Sequence, residues 1–560
     1  MIVSLFIWFY VTVLGYLYGS FFLIIYKKFT KADFSTVPAS ITVLLGIIAI
    51  SSLATYLSLV IKLGLVANLL LGIGAVTIGV SGNYIRPVFR VQRSWRYTLI
   101  WGVIILGFIS LLDSVTHMPS NYDTNLYHAQ TIRWIESYRV VPGLGNLHGR
   151  LAFNSSWLLL HALFSFSFLE WGSFHALSGF FAFLMLCYFI RGSYNLLQGK
   201  NKLENWGATI LVLLSFYIMG GYIKSPGTDL PAILLVWIIF ILWVEFFDFD
   251  KGDEIFYLII TAVSLYAITV KLSVFPVSLL VGYIWAMLVK NKQWKTLIVL
   301  LTISGFILLP WLVRNIILSG YLIYPFAGIN IFDFDWKIPV EEVRRVNYGI
   351  LGFARLPGWG DAVDMPMREW FKLWYQNKTL NQKIVFQAAI LSPLGLIVQL
   401  LIQRWSKHNK KTMPHYLFLF IALYTGVLFW FFQAPLFRFG YSFLISVTIL
   451  GYLPIFIKIF NNFNKRFMNI ITWLIVSGIF VYLGYFFIYT VRLETYNERI
   501  VFPSDYMESI VDPCPLGDLD IFCVRARGQC NYDAFPCVPH LLPNTKSRNG
   551  TLQGGFYSIP

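Results

Sequence analysis

Charged side chains are scarce in this chain: Asp, Glu, Lys and Arg make up 12% of its 560 residues, against 57% hydrophobic and 18% aromatic residues. So little polar surface, with a mean hydropathy of +0.67, excludes a soluble globule. Cysteine is nearly missing too, since only Cys187 precedes Cys514. The opening apolar run has no basic amino-terminal region and no small-residue cleavage site, so it reads as a retained span and not a removed signal peptide. Paired, Gly/Pro-broken spans in two matching halves, a mark of many transporters, are also lacking.

What the chain has instead is apolar runs of roughly 17 to 25 residues, each able to cross a hydrocarbon core of about 30 Å as a helix. About fourteen are expected, near 2 to 25, 38 to 60, 64 to 82, 97 to 116, 172 to 190, 207 to 223, 231 to 247, 255 to 270, 274 to 289, 296 to 317, 384 to 402, 414 to 432, 440 to 457 and 468 to 490. The fold class is therefore an all-α polytopic membrane protein. The expected organisation is a three-span extension over 1–96, a transmembrane core over 97–490 with long loops at 113–171 and 318–383, and a tail over 491–560.

Lys and Arg fall in every second loop: Lys27, Lys28 and Lys31; Arg86, Arg90, Arg93 and Arg96; Arg191, Lys200 and Lys202; Lys290, Lys292 and Lys295; Arg404, Lys407, Lys410 and Lys411; Lys458, Lys465 and Arg466. Basic residues are retained on the cytoplasmic side, so those loops are expected there, and both termini and all three long segments opposite. The net charge of +16 is this signal plus attraction to anionic headgroups, and implies no nucleic acid partner.

Cys514, Cys523, Cys530 and Cys537 cluster in the outward tail, where two disulfides are expected. Four cysteines allow three connectivities, and the sequence leaves the choice open. A zinc site is the competing reading, but the spacings are wider than usual ligand pairs. The tail reads as a stapled cap or a partly ordered extension.

Chemistry is expected where charge interrupts the apolar pattern at the outer ends of spans, because a charge there needs a partner, a water-filled cavity or a task. Five positions qualify: Asp123 in the first outward loop, Asp229 after KSPGT, Lys271 in ITVKLS, Arg314 in PWLVRN and Arg438 in APLFRF. Two carboxylates and three cations on one face suit a negatively charged lipid-linked substrate, the cations holding phosphate and a carboxylate accepting a proton. Each also has a structural reading. Asp123 suits an N-cap before TNLYHAQTIRWIESY, and Asp229 a helix start with Pro two residues on. Lys271, Arg314 and Arg438 suit cations that snorkel to headgroups. His117, His148 and His161 fit no metal-ligand spacing and read as packing or hydrogen-bonding residues. The aromatic-rich segment 318–383 reads as an interfacial lid or as an ordinary interfacial loop.

The stretch YDTNLYHAQTIRWIESY resembles the first outer loop of the GT-C superfamily of membrane glycosyltransferases, through Asp123, Tyr127 and Ala129. SPGTDLP, ITVKLS, PWLVRN with SGYLIYP, and APLFRF resemble later motifs of that superfamily in the same order. Asp123 is followed by Thr124 in place of a second acid, three spans precede the usual start, and VPGLGNLHGRLAFNSSW is similar to an uncharacterised bacterial membrane family at the superfamily's edge.

The resemblance implies transfer of a sugar from a polyprenyl-phosphate donor to an acceptor hydroxyl of a glycan, lipid or protein, at the outer face of a bacterial inner membrane. Asp123 is then the general base, its carboxyl raised at a partly dry site. Lys271, Arg314 and Arg438 stabilise the leaving phosphate, Asp229 positions hydroxyls, and Tyr127, His128 and Arg150 line the pocket. No cofactor or metal is obligatory in this scheme, and a divalent ion is compatible with it. A polymerase or ligase of lipid-linked glycans is the nearest alternative, and a transporter the next.

Overall fold

The computed structural model describes the chain except residues 31, 35–36, 83, 86–94, 248–253, 359, 405–412, 461–464, 491–495, 526–527, 543 and 560. Lys31, Arg86, Arg90, Arg93, Lys407, Lys410 and Lys411, part of the orientation signal, lie outside the described residues. Elsewhere the apolar runs become helices, the conformation in which a lipid-embedded backbone satisfies its own hydrogen bonds.

Among the described residues, ten helices are long and apolar enough to cross a membrane: Ile2–Phe29, Ala39–Ser58, Leu177–Leu197, Asp229–Phe246, Leu272–Lys290, Trp294–Ser319, Leu380–Leu401, Met413–Gln433, Phe437–Phe460 and Ile470–Ile488. Four more expected runs form shorter apolar helices, Leu65–Val80, Thr98–Ser114, Leu203–Ile218 and Glu254–Val270. The first two long helices pack backbone to backbone, and a Cβ on Gly19 would stand 1.8 Å from the Thr42 carbonyl oxygen. Close approach of this kind is what small residues allow where no hydrophobic effect drives helices together.

The segment 113–171 is not an open polar loop. Its last part, Ser156–Leu163, is a helix buried at every residue, packed against Ala39–Ser58, Ala129–Ser137 and Glu254–Val270. Eight residues span about 12 Å, too little to cross a bilayer but enough to fill a gap in a helical bundle.

The three long segments share one core outside the main bundle. Trp134, Val141 and Leu147 from the first meet Leu318, Tyr321 and Ile338 from the second and Ile521, Val538 and Phe556 from the tail. The stretch at 143–157, for which the sequence offers no mechanism, is their junction. The Asn146 side chain, 1% exposed, donates to the carbonyls of Gly143, Trp336 and Phe556 at 3.2, 2.8 and 3.3 Å and accepts from Ser558 Oγ at 3.0 Å. One buried amide thereby joins all three segments.

Among the described residues the tail forms small sheets stapled by two disulfides. Strands Val511–Pro513, Phe522–Val524 and Cys537–Val538 form one small sheet, and Thr545–Ser547 pairs with Phe556–Ser558. The disulfides join sequential cysteines, Cys514 to Cys523 and Cys530 to Cys537. Cys187 is free. The amides of Ile2 and Val3 donate to the carbonyls of Ile500 and Val501 at 2.8 and 3.2 Å, so the first helix begins on the side of the bundle where the tail lies.

Candidate functional site

In the stretch Asn121 to His128 the Asn121 side chain accepts the Asp123 amide at 2.9 Å. The chain then runs through a π-helical turn, Thr124–His128, closed by the Ala129 amide on the Thr124 carbonyl, and continues as Ala129–Ser137. Widened turns of this kind recur at functional sites, where they re-aim side chains. Asp123 makes no side-chain cap bond to this helix. Its carboxylate turns to Arg438, whose Nη2 stands 2.6 Å from Oδ2.

Arg438 is the second residue of the helix Phe437–Phe460, and the 318–383 segment holds its approach in place. Within the helix Met367–Gln376, Trp374 Nε1 donates to the Pro435 carbonyl at 2.8 Å, and the Trp374 ring stacks on Phe437 at 5.7 Å. The guanidinium also reaches the second carboxylate, with Nε 3.6 Å from Asp229 Oδ2. Asp229 opens its helix, where the positive end of the helix dipole favours an anion. Lys271, the extended residue after Glu254–Val270, bonds the same carboxylate through Nζ. Lys271 Nζ and the Arg438 guanidinium lie 3.9 and 5.0 Å from the centroid of Phe439, an electrostatically favourable placement over an aromatic face.

The result is a compact four-residue array, Asp123–Arg438–Asp229–Lys271, assembled from four distant parts of the sequence. Asp123 is 21% exposed at its side chain and Asp229 only 7%. Asp123 is thus the carboxylate that a diffusing hydroxyl can reach. Burial pushes its carboxyl upward, but Arg438, with smaller help from His128, Lys271 and Arg150, outweighs burial and holds it below the usual carboxylate range. This corrects the expectation of a raised carboxyl: the cation bonded to it wins over partial desolvation.

His128 stands within electrostatic reach of Asp123. It is 3% exposed, its Nδ1 lies 3.3 Å from Thr124 Oγ1, and its Nε2 is buried with no hydrogen-bond partner. Burial pushes it down to about 4, so it is neutral near pH 7. The Tyr127 ring lies 4.3 Å from the His128 ring and 5.7 Å from Phe153, and the Arg150 guanidinium is 6.0 Å from Tyr127's centroid. Burial pushes the Tyr127 phenol well above its ordinary range.

Arg314 does not join the array. It is 5% exposed, donates to Ser58 Oγ at 3.0 Å and has no carboxylate partner among the described residues. It lines a separate small cavity with Thr131, Phe153, Asn154 and Ser155. Phe153 packs on Tyr127 and also lines that cavity, so an aromatic ring divides the two polar places. The reason lies within the span: Arg314 precedes the last turn of Trp294–Ser319 and faces Ala39–Ser58, not the ends of the Asp229 and Phe437 helices.

His117 bonds Asp113 at 3.3 Å, while His148 is half-buried, with its Nε2 shielded and unpartnered. Among the described residues no three His, Cys, Asp or Glu side chains group as a metal site. The residues that sequence reasoning missed are Phe439, Trp374 and Gln130. Phe439 stands in plain view beside Arg438 in APLFRF; Trp374 and Gln130 acquire their roles only through distant partners, 61 positions from Trp374 to Pro435 and 401 from Gln130 to Asn531.

No curated protein and no solved structure matches this chain. A family described as a domain of unknown function, DUF8201, matches residues 1–445. That range contains all four residues of the charge array and Arg314, and stops short of the disulfide tail. With well over half its length matched, the chain belongs to the DUF8201 family.

Proposed function

We propose that the chain is a GT-C-like membrane glycosyltransferase that moves a sugar from a polyprenyl-phosphate donor to an acceptor hydroxyl. The observation that carries this reading is the convergence of Asp123, Asp229, Lys271 and Arg438, four residues singled out from separate motifs, into one array. In the finer topology we propose, fourteen helices cross the membrane, with the array and the three long segments at the periplasmic or external face of a bacterial inner membrane.

The donor phosphate is an anion, and its arrival beside Arg438 and Lys271 gives those cations a new partner. Arg438 then releases Asp123, whose carboxylate rises toward its ordinary basicity and takes the acceptor hydroxyl's proton. The acceptor oxygen bonds the sugar's anomeric carbon as the bond from that carbon to the phosphate oxygen breaks. The polyprenyl phosphate leaves with the extra negative charge, which Arg438 and Lys271 stabilise without reorganising. Asp229 holds Lys271 in place throughout, and neutral His128 offers Nε2 to a sugar or acceptor hydroxyl. Nothing in this scheme requires a metal.

Protein reconstituted in vesicles with polyprenyl-phosphate hexose or pentose donors and glycan or lipid acceptors is expected to release free polyprenyl phosphate. If wild-type protein releases none with any donor, the proposal fails. A polymerase or ligase of lipid-linked glycans shares the chemistry, and the buttressing of Arg438 by Trp374 of the later segment favours it as the second reading. It is separated by whether the product remains lipid-linked and grows. The two-acid, two-cation pairing also suits a transporter gate, and solute uptake in place of donor cleavage would favour that class.

A further inference from the structure

The tail's second disulfide loop, Cys530 to Cys537, closes directly over the segment that carries Asp123. The Asn531 amide donates to the Asn125 carbonyl at 2.9 Å. Gln130 Nε2 donates to the carbonyls of Asn531 and Ala534 at 3.1 and 2.7 Å, and Gln130 Oε1 accepts the Cys537 amide at 3.0 Å. Arg133 donates to the carbonyls of Tyr532 and Asp533, both at 2.5 Å. Tyr532 donates its hydroxyl to Glu136 at 2.5 Å.

These contacts run along one whole face of the segment. They matter because the segment has little stability of its own: a π-helical turn followed by nine α-helical residues is shorter than a helix that persists alone in water. Gln130 is 1% exposed, and its donor and acceptor groups are all taken by the tail loop. A buried amide left without those partners is costly, so the ordering of the segment is coupled to that of the loop. Cys530 and Cys537 are buried, at 0% and 2% exposure, which keeps external thiols from the bond and makes it a fixed closure.

We propose that the Cys530–Cys537 loop positions the Asp123 side of the charge array, a clasp that acts through Gln130 to hold Asp123 against Arg438. Its effect on transfer rests on the function proposed above; the clasp itself does not. Gln130 touches no reacting group and is a positioning residue.

The test uses the full chain in lipid nanodiscs and reads amide hydrogen exchange across residues 124–137. Gln130→Ala keeps both disulfides and removes three hydrogen bonds, so exchange there is expected to rise about tenfold or more. Cys530→Ser with Cys537→Ser is expected to do the same, and Cys514→Ser with Cys523→Ser is not. In transfer measurements the acid limb of the pH profile should move to higher pH in Gln130→Ala. There Asp123 drifts from Arg438, Lys271, His128 and Arg150, the groups facing it, a change that mere loss of folded protein would not produce. Unchanged exchange over 124–137 in Gln130→Ala overturns the clasp, and this variant decides the matter if the double cysteine variant fails to assemble. Raised exchange with an unmoved pH profile overturns the positioning of Asp123. Absence of transfer in the wild type sinks the proposed function and leaves the exchange result to judge the clasp.

Discussion

Arg438 is ion-paired with both acids of the array, Asp123 at 2.6 Å and Asp229 at 3.6 Å, so neither carboxylate can be altered without changing the other's surroundings. Replacing Asp123 by Asn therefore does two things: it removes the proposed base, and it leaves Arg438 to lean on Asp229. Transfer is expected to fall by about 100-fold or more, the scale of general-base catalysis. Donor cleavage by Asp123→Asn at the wild-type rate would remove Asp123 from the mechanism.

The pairing itself is measurable without any substrate. In a double-mutant cycle of Asp123→Asn and Arg438→Gln, the two residues should couple by about 1–2 kcal/mol, since the pair is shielded but still about one-fifth exposed. Unfolding of the four proteins in mild detergent gives the value. Additive effects would mean that the bond contributes nothing to the resting state.

Arg314 offers a sharp contrast between stability and activity. A buried guanidinium without a carboxylate partner destabilises its surroundings, so Arg314→Met is expected to leave the melting temperature unchanged or raise it. If its cavity receives part of the donor's anionic group, the same variant loses transfer. A variant that melts earlier by several degrees would show that the bond to Ser58 is worth more than the burial costs.

Acid should loosen the fold through its buried histidines before it protonates Asp123. Burial pushes His128 and His148 to about 4 and about 3, whereas unfolded histidines take up protons below about 6.5. The folded state thus binds fewer protons in that window. Stability falls as pH drops from about 6.5 toward 4, by up to about 1.4 kcal/mol per pH unit for each histidine. Asp123 acts lower: its contribution is full above the ordinary aspartate value and is lost as pH falls through its depressed one. Thermal melts of wild type and His148→Gln between pH 7 and 4 should give the shallower slope for the variant.

Asn146→Ala is expected to cost about 2–3 kcal/mol, since several buried hydrogen bonds go at once and three carbonyls lose a donor. Limited proteolysis should then release the tail and the 318–383 segment together. Release of one alone would mean that the junction lies elsewhere.

The helices were legible because lipid imposes one solution on any long apolar run, and each run such as 231 to 247 carries its own evidence. Asp123, Asp229, Lys271 and Arg438 were legible for a related reason: charge at the end of a span is expensive enough to be informative residue by residue. Arg314 met the same criterion yet stands outside the array, because cost alone does not say which neighbour a side chain faces. Ser156–Leu163 was hidden by its length, too short to read as a span. The contacts of Gln130 with Asn531 and Ala534 cross some 400 positions, and a single sequence holds no trace of such a pairing. The disulfide connectivity was open for the same reason.

Two carboxylates and two cations make the array electrically balanced, and this has a consequence for how it meets the membrane voltage. A balanced cluster feels almost no net force from a transmembrane field, whereas a monoanionic guest does, at about 2.3 kcal/mol per 100 mV for a full traverse. At the end of its helices the array is crossed by only a small part of that drop. In the proposed transferase, occupancy should therefore follow the supply of guest molecules in the adjoining leaflet and be nearly blind to whether the cell is energised.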